Sequence, residues 1–319
     1  MSLPLPLTDL AQAAAWLEPR GLDDLSQLLS LASQARQAAQ GQEVEFCAIV
    51  NARSGRCSED CAFCAQSSHH RTQAQSYPLL ETQEIVARGR AAAAAGAMRF
   101  GIVTSGKSCP EGPALEAICR AVERLRGEKI VSPCASLGLL SPAQARRLAD
   151  AGLVRYHHNL EAGPGYFPSI CTSHTLAQRQ QTVRHAQAAG LEVCVGGIVG
   201  MGESPVQRAE LALAIAELAP QSVPLNFLNP IPGTPLEHLE PLSPLQALAS
   251  VAVFRLMIPQ AHIRTCGGRQ QVLGRLAPLM YLAGASATMI GDYLTTQGRQ
   301  PQEDLADAAA LGLRPVPAP

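Results

Sequence analysis

A parallel (β/α)₈ barrel of the TIM type, in the α/β class, is the fold this sequence predicts, and three observations carry it. Eight short β-like runs alternate with amphipathic, alanine-rich stretches of helical period, with no break that would divide them into separate domains. Several of the helical stretches open on Ser or Thr and close before Gly, as capped helices do. At 319 residues, 47% apolar and 16% charged, the chain is long enough to bury one barrel-sized core. A doubly wound open sheet is the other architecture that the same alternation permits.

The elements follow in order. Residues 1–40 read as an N-terminal helical segment, with its helix around 22–39, and residues 41–319 as the barrel with a C-terminal extension. Strands are expected near 44–51, 98–104, 129–136, 153–159, 191–198, 223–228, 262–266 and 287–290. Helices are expected near 82–95, 113–126, 141–151, 175–189, 204–218, 243–257 and 270–282. Gly96, Gly127, Gly152, Gly190 and Gly284 stand where residues just past a helix end belong. The alanine run 91–95 reads as a helix packing face, and the proline-rich tail 315–319 as a frayed terminus.

Composition removes several function classes. A net charge of −1 offers no basic field for a nucleic-acid backbone, which favours a small-molecule partner. Ten cysteines without a charged, apolar and cleavable leader argue for metal ligation in a reducing cytoplasm, not for disulfides. No apolar run is long enough to span a bilayer. The lysines are Lys107 and Lys129, and Lys129 falls at the start of a predicted strand, the barrel end remote from chemistry, so Schiff-base catalysis is disfavoured. No Ser-His-Asp set or carboxylate pair competes as a catalytic constellation.

The chemistry is carried by Cys57, Cys61 and Cys64 in the run Arg-Cys-Ser-Glu-Asp-Cys-Ala-Phe-Cys. This C-x₃-C-x₂-C spacing supplies three ligands where a structural zinc site takes four, and where a redox disulfide takes two. Three thiolates suit a four-iron cluster with one iron left open to a substrate. The triad falls in the loop leaving the first strand, at the C-terminal mouth where barrel enzymes assemble their sites. Four more cysteines, Cys47, Cys134, Cys194 and Cys266, fall within strands one, three, five and seven. Alternate strands contribute one layer of a barrel interior, so these thiols are placed to converge below the mouth on a second, soft iron-sulfur site. The competing reading is that they fill small gaps in the core. Cys171, in the loop after strand four, is an alternative member of this set, whereas Cys109 and Cys119 read as structural.

The triad resembles the signature of radical S-adenosylmethionine (radical SAM) enzymes, and the chain as a whole resembles biotin synthases from about residue 44 to residue 315. The resemblance rests on Cys57–Ser68, on Tyr-His-His-Asn-Leu-Glu at Tyr156–Glu161, on Val193–Glu203, on Ser222–Leu228 and on Pro-Gly-Thr-Pro-Leu at Pro232–Leu236. It implies insertion of sulfur between two unactivated carbons of dethiobiotin. No side chain could deprotonate such carbons at neutral pH, so a radical is required. Two C–H bonds break, which implies two adenosylmethionine molecules, a [4Fe-4S] cluster, an auxiliary cluster as sulfur donor and a reductant such as flavodoxin or ferredoxin. A cytoplasmic homodimer is implied as well. The alternatives are another radical SAM enzyme on the same barrel, such as a hydrogenase-cofactor maturase or a mutase, and, in a different class, a non-catalytic cluster carrier.

The resemblance also implies roles. Phe63 packs on the cluster and adenosyl group, and Gly196, Gly197 and Ile198 let backbone approach adenosylmethionine. His158, Asn159, Glu161 and Arg179 hold its ribose, carboxylate and amino groups, and Asn159 and Asn226 bond the ureido ring of dethiobiotin. In familiar members a [2Fe-2S] auxiliary cluster has three cysteines and an arginine. Two of the cysteines match Cys134 and Cys194, the arginine matches Arg264, and the third cysteine aligns with Gly101, which has no side chain to ligate. The expectation is therefore an auxiliary cluster rebuilt with more iron on Cys134, Cys194, Cys47 and Cys266, with Arg264 a possible ligand and Arg99 balancing charge.

Overall fold

The structure, a computed structural model, describes residues 5–108 and 111–317, so Cys109 lies outside the described residues. Parallel strands β1 (Glu43–Arg53), β2 (Arg99–Thr104), β3 (Ser132–Ser136), β4 (Arg155–His157), β5 (Glu192–Cys194), β6 (Gly197–Val199), β7 (Ser222–Phe227), β8 (His262–Thr265) and β9 (Ala287–Met289) pair in chain order, with β5 and β6 both on β7. The pairing of Glu45–Cys47 with Ala287–Met289 returns β9 to β1 and closes the ring, which excludes the open sheet. β5 and β6 are two halves of one stave, parted at Val195 and Gly196, so the closed wall has the eight staves of a (β/α)₈ barrel.

The intervening helices are α3 (Thr82–Ala94), α4 (Pro113–Glu128), α5 (Pro142–Asp150), the short α6 (Phe167–Ile170), α7 (Leu176–Ala188), α8 (Pro205–Ala216) and α9 (Pro244–Met257). Ser141, Thr175, Ser204 and Ser243 each form a reciprocal capping box with the glutamine three residues on, satisfying two of the helix's free N–H groups. Every residue of α9 from Ala247 to Met257 is buried, because α2 (Leu22–Gln40) lies over its outer side. The shorter α1 (Leu10–Trp16) packs on α8, and Leu25, Leu28 and Ala32 join the barrel's own apolar cluster.

Several expectations need correction. The helix expected at 270–282 is broken into α10 (Arg269–Leu273), a 3₁₀ turn (Gly274–Leu276) and α11 (Leu279–Leu282), since Gly274 takes φ 49° and Pro278 lacks an N–H. Lys129 does not begin a strand. It sits in the left-handed region at the end of α4, and Gly127, expected past that end, lies inside the helix. Of the alanine run, Ala92 and Ala93 pack on the core while Ala91 and Ala94 are exposed. The tail is not frayed over its first residues: after α12 (Pro301–Ala310), strand β10 (Arg314–Pro315) lies on β1, with Arg314 N–H donating to Gln42 O and Val316 N–H to Val44 O at 2.8 and 2.9 Å. No described helix is long and apolar enough to cross a membrane.

Candidate active site

The loop after β1 carries the triad, and hydrogen bonds fix its shape. Cys57 N–H donates to Gln66 O and Ser68 N–H to Cys57 O, while Gln66 Oε1 accepts from Gly55 N–H and Ser54 Oγ–H. The Asp60 carboxylate accepts from Thr172 N–H, Thr172 Oγ1–H and Ser173 N–H, and Ala62 N–H donates to Ile170 O, which ties the loop to the segment after β4. Burial pushes the Cys61 thiol up, and it pushes Cys64 up to about 11. A protonated thiol is a poor ligand, so a bound cation must displace these protons.

Phe63 and Cys64 line two adjoining cavities. The outer, about 200 Å³, also holds Cys57, Cys61, His158, Asn159, Glu161 and Arg179. The inner, about 330 Å³, descends the barrel axis to Cys47, Cys134, Cys194, Cys266 and Arg264, with Ile198 and Asn226 on its walls. The four strand thiols therefore do face inward as expected, although Cys266 stands one residue beyond β8. Cys171 does not join them. Its Sγ lies 3.8 Å from that of Cys61, because the segment after β4 folds back over the triad loop. Cys119 is buried in the core on α4, as a structural residue should be.

Below the thiols sits Glu45, a residue that motif reasoning missed. Two positions before Cys47, it shares that residue's face of β1, and this period of two was the available signal. Its carboxylate meets Arg99 Nε at 2.5 Å, Arg155 Nη1 at 2.9 Å, and Arg264. Burial pushes the Glu45 carboxyl up, but Arg264, Arg155 and Arg99 outweigh it and hold the group well below the ordinary carboxylate range. The floor counts three guanidiniums against two carboxylates, Glu45 and the half-exposed Glu192. Arg99 Nη1 and Arg264 Nε have no hydrogen-bond partner among the described residues. Such a floor fits an anionic guest.

Cys194 reports the same field. Burial raises its thiol, yet Arg264 Nη1 at 3.5 Å and His157 Nδ1 at 3.3 Å bring it down to about 6. Cys47 and Cys134 stay above the ordinary thiol range and Cys266 is pushed up to about 12, burial being the first cause in each. His157 was also missed; it lines both cavities and places Nδ1 on the Cys194 thiol. Gly101 lines the inner cavity and brings no side chain to it; a Cβ there would meet Ile49 Cγ2 at 3.1 Å, a contact that a small shift of Ile49 relieves.

At the outer cavity, His158 is buried and its Nε2 has no partner among the described residues, which leaves a donor or acceptor for a bound hydroxyl. Burial raises the Glu161 carboxyl, and Arg179 Nη1 lies 3.7 Å from it while donating to Asn159 O at 2.8 Å. Gly196 and Gly197 have a reason inside the barrel itself: a Cβ on Gly196 would stand 1.8 Å from Pro224 O, and one on Gly197 2.6 Å from Glu161 O. Asn159 accepts from Gly196 N–H at 3.2 Å, and Asn226 donates to Gly197 O and accepts from Gly267 N–H. Each amide keeps a second lone pair or hydrogen for a ligand.

Comparison with known proteins gives this geometry a family. Residues 52–215 match the Radical SAM superfamily model and residues 224–314 the Biotin and Thiamin Synthesis associated domain. A biotin synthase of Geobacter sulfurreducens is 50% identical over 290 residues, which is 91% of this chain and 88% of the relative. The chain belongs to the biotin synthase family. A second biotin synthase, from Syntrophotalea carbinolica, is 50% identical over 289 residues, 91% of this chain and 88% of its own. Among solved structures, a methylornithine synthase superposes with a TM-score of 0.84 at 18% identity, covering 97% of this chain and 94% of that one. The hydrogenase maturase HydG from Carboxydothermus hydrogenoformans gives 0.82 at 17%, covering 97% and 76%. At such identities these two establish the shared barrel and nothing more, so the biotin synthase assignment comes from the sequence relatives.

Proposed function

We infer that this chain is a biotin synthase that inserts sulfur into dethiobiotin. The observation that carries the inference is half-identity to biotin synthases over nine-tenths of the chain, joined to one cavity system that runs from the triad to the inward thiols. Cys57, Cys61 and Cys64 would hold a [4Fe-4S] cluster, which with adenosylmethionine and one electron from a reductant would supply the radical chemistry that hydrogen abstraction requires.

The chain's own residues bind, orient and exclude. Phe63 covers the cluster side of the mouth, and Arg179 offers a carboxylate a planar pair of donors, released from Asn159 O and the His174 ring. His158, held neutral by burial and then by Arg179 and His157, offers Nε2 to the ribose, and Glu161 the amino group. Gly196, Gly197 and Ile198 form the wall beside them. Asn159, just past β4, and Asn226, on β7, flank the β5–β6 stave from its two sides and present amide edges to a ureido ring in the inner cavity, with the carbons to be joined turned toward the floor. Apolar lining from Ile49, Val103, Ile198 and Met289 keeps water from a carbon radical.

For the floor we propose that Cys134, Cys194, Cys47 and Cys266 hold an auxiliary iron-sulfur cluster of more than two irons, with Arg264 against it and Arg99 balancing its charge. All four thiols line the one inner cavity together with Arg264, and thiolates are the donors that iron-sulfur units take. A low-potential reductant such as flavodoxin or ferredoxin and a homodimeric assembly belong to the same proposal. Anaerobic incubation with dethiobiotin, adenosylmethionine and reductant tests the function: biotin by mass is expected, and adenosylmethionine cleavage without a sulfur-containing product would favour another radical reaction. Iron and sulfide analysis with Mössbauer spectra of Cys47→Ala and Cys266→Ala tests the ligand set; an unchanged auxiliary signal removes both.

A further inference from the structure

Cys61 belongs to the triad, yet its sulfur also stands in a second, separate set of donors. Sγ of Cys61, Sγ of Cys171 and a ring nitrogen of His174 all lie within 4.8 Å of one another, and all three residues are buried. Cys171 Sγ is 3.3 Å from His174 Nδ1 and 3.7 Å from Nε2. Two thiols and an imidazole are the donors of a borderline-soft divalent ion and are a poor match for magnesium or calcium.

Hydrogen bonding sets the ring for this task. Arg179 Nε donates to His174 Nε2 at 2.9 Å, and because a guanidinium only donates, Nε2 carries the lone pair. The ring proton is then on Nδ1, which gives it to Glu59 Oε2 at 2.6 Å. A carboxylate holding one imidazole N–H, with the lone pair on the other nitrogen, is the outer arrangement that metal-binding histidines use; here Arg179 occupies that lone pair until an ion displaces it. Glu59 is itself held by Ser173 Oγ–H at 2.8 Å and Ser58 Oγ–H at 3.1 Å, so the carboxylate is fixed before any ion arrives.

We propose that the chain, before its cluster is built, binds one divalent ion of the zinc or ferrous type through Cys61 Sγ, Cys171 Sγ and His174 Nε2, with Glu59 as the supporting carboxylate. Binding sends the two thiol protons to solvent and moves Arg179 off Nε2; one divalent charge balances the two thiolates, while the Arg179 guanidinium stays nearby against the Glu59 and Asp60 carboxylates. Asp60, whose Oδ1 accepts from Cys171 Sγ at 3.3 Å, faces the remaining side. Since Cys61 cannot serve this ion and the cluster together, the two states exclude each other. Zinc in the site blocks cluster assembly, and a ferrous ion there places iron on one of the triad's own ligands.

The test uses the full chain prepared without cluster and titrated anaerobically with cobalt(II) alone. One cobalt per chain is expected, with the intense absorption of tetrahedral thiolate coordination. Cys57→Ser and Cys64→Ser should leave it in place, and Cys171→Ser should weaken binding by about tenfold or more. The opposite pattern, loss with Cys57→Ser or Cys64→Ser and none with Cys171→Ser, assigns the ion to the triad and overturns the proposal, as does the absence of binding. X-ray absorption of the unsubstituted chain with zinc alone decides the matter should Cys171→Ser fold poorly. Two sulfurs and an imidazole are expected, and three sulfurs without imidazole refute the site. Neither result bears on sulfur insertion by the loaded enzyme, so the two readings stand or fall separately.

Discussion

The rim and the floor of this barrel hold thiols in opposite ways. At the rim, three cysteines arrive within eight residues of one loop, Cys57–Cys64, shaped by hydrogen bonds within the loop and to the segment after β4. At the floor, the four come from different staves spread over most of the chain, beside a buried ion network. Cys64, raised first by burial and then by Cys57 and Glu161, is pushed up to about 11, while Cys194, facing Arg264 and His157, falls to about 6. A loop triad can wrap a guest and adjust to it. A strand set is rigid, and its charge is fixed before the guest arrives, which is what the proposed auxiliary cluster would require.

That contrast breaks most sharply at the rim. Replacing Cys57, Cys61 or Cys64 by Ala should reduce both adenosylmethionine cleavage and biotin formation to background, measured as 5′-deoxyadenosine and biotin by mass. Cys194→Ala should separate the two, retaining cleavage while losing biotin; if cleavage disappears too, rim and floor do not act as distinct units. Glu45→Gln leaves three buried guanidiniums short of their shared carboxylate and should destabilise the fold by about 3–5 kcal/mol in denaturant unfolding of the intact chain. The sign with pH follows from the depressed folded value of Glu45. Its contribution is complete above the unfolded carboxyl value of about 4.3 and fades as pH falls further toward the folded one, so the gap between parent and variant should narrow only in acid.

Asn226→Ala should be milder. It removes one amide edge from the inner wall and two contacts with Gly197 and Gly267, and kcat/KM for dethiobiotin should fall about tenfold to a hundredfold, mostly through KM. The smallest effect belongs to the tail. Deletion from Arg314 onward removes the two bonds to Gln42 and Val44 and should cost about 1–3 kcal/mol with the floor's spectroscopy unchanged, so a changed spectrum would tie β10 to the floor.

Much of this was legible in the residues. Period-two and period-3.6 patterns, punctuated by capping boxes at Ser141, Thr175, Ser204 and Ser243, found all eight staves. The helix at 270–282 was overcalled because apolar period outweighed Gly274 and Pro278, and β10 was missed because two residues are too short for any period. At the candidate site the triad was visible as a spacing and the floor thiols as an alternation, but Glu45 lacked a motif and His157 lay hidden beside the more conspicuous His158.

What the sequence determined by itself was everything set by neighbours in the chain: the C-x₃-C-x₂-C spacing of Cys57, Cys61 and Cys64, the order of strands and helices, and the face each strand residue occupies. Only the tertiary structure decided which charges meet. Glu45 gathers Arg99, Arg155 and Arg264, and Cys171 comes to rest against Cys61 instead of joining the floor, because ring closure and the fold of the segment after β4 bring together residues that no local periodicity relates.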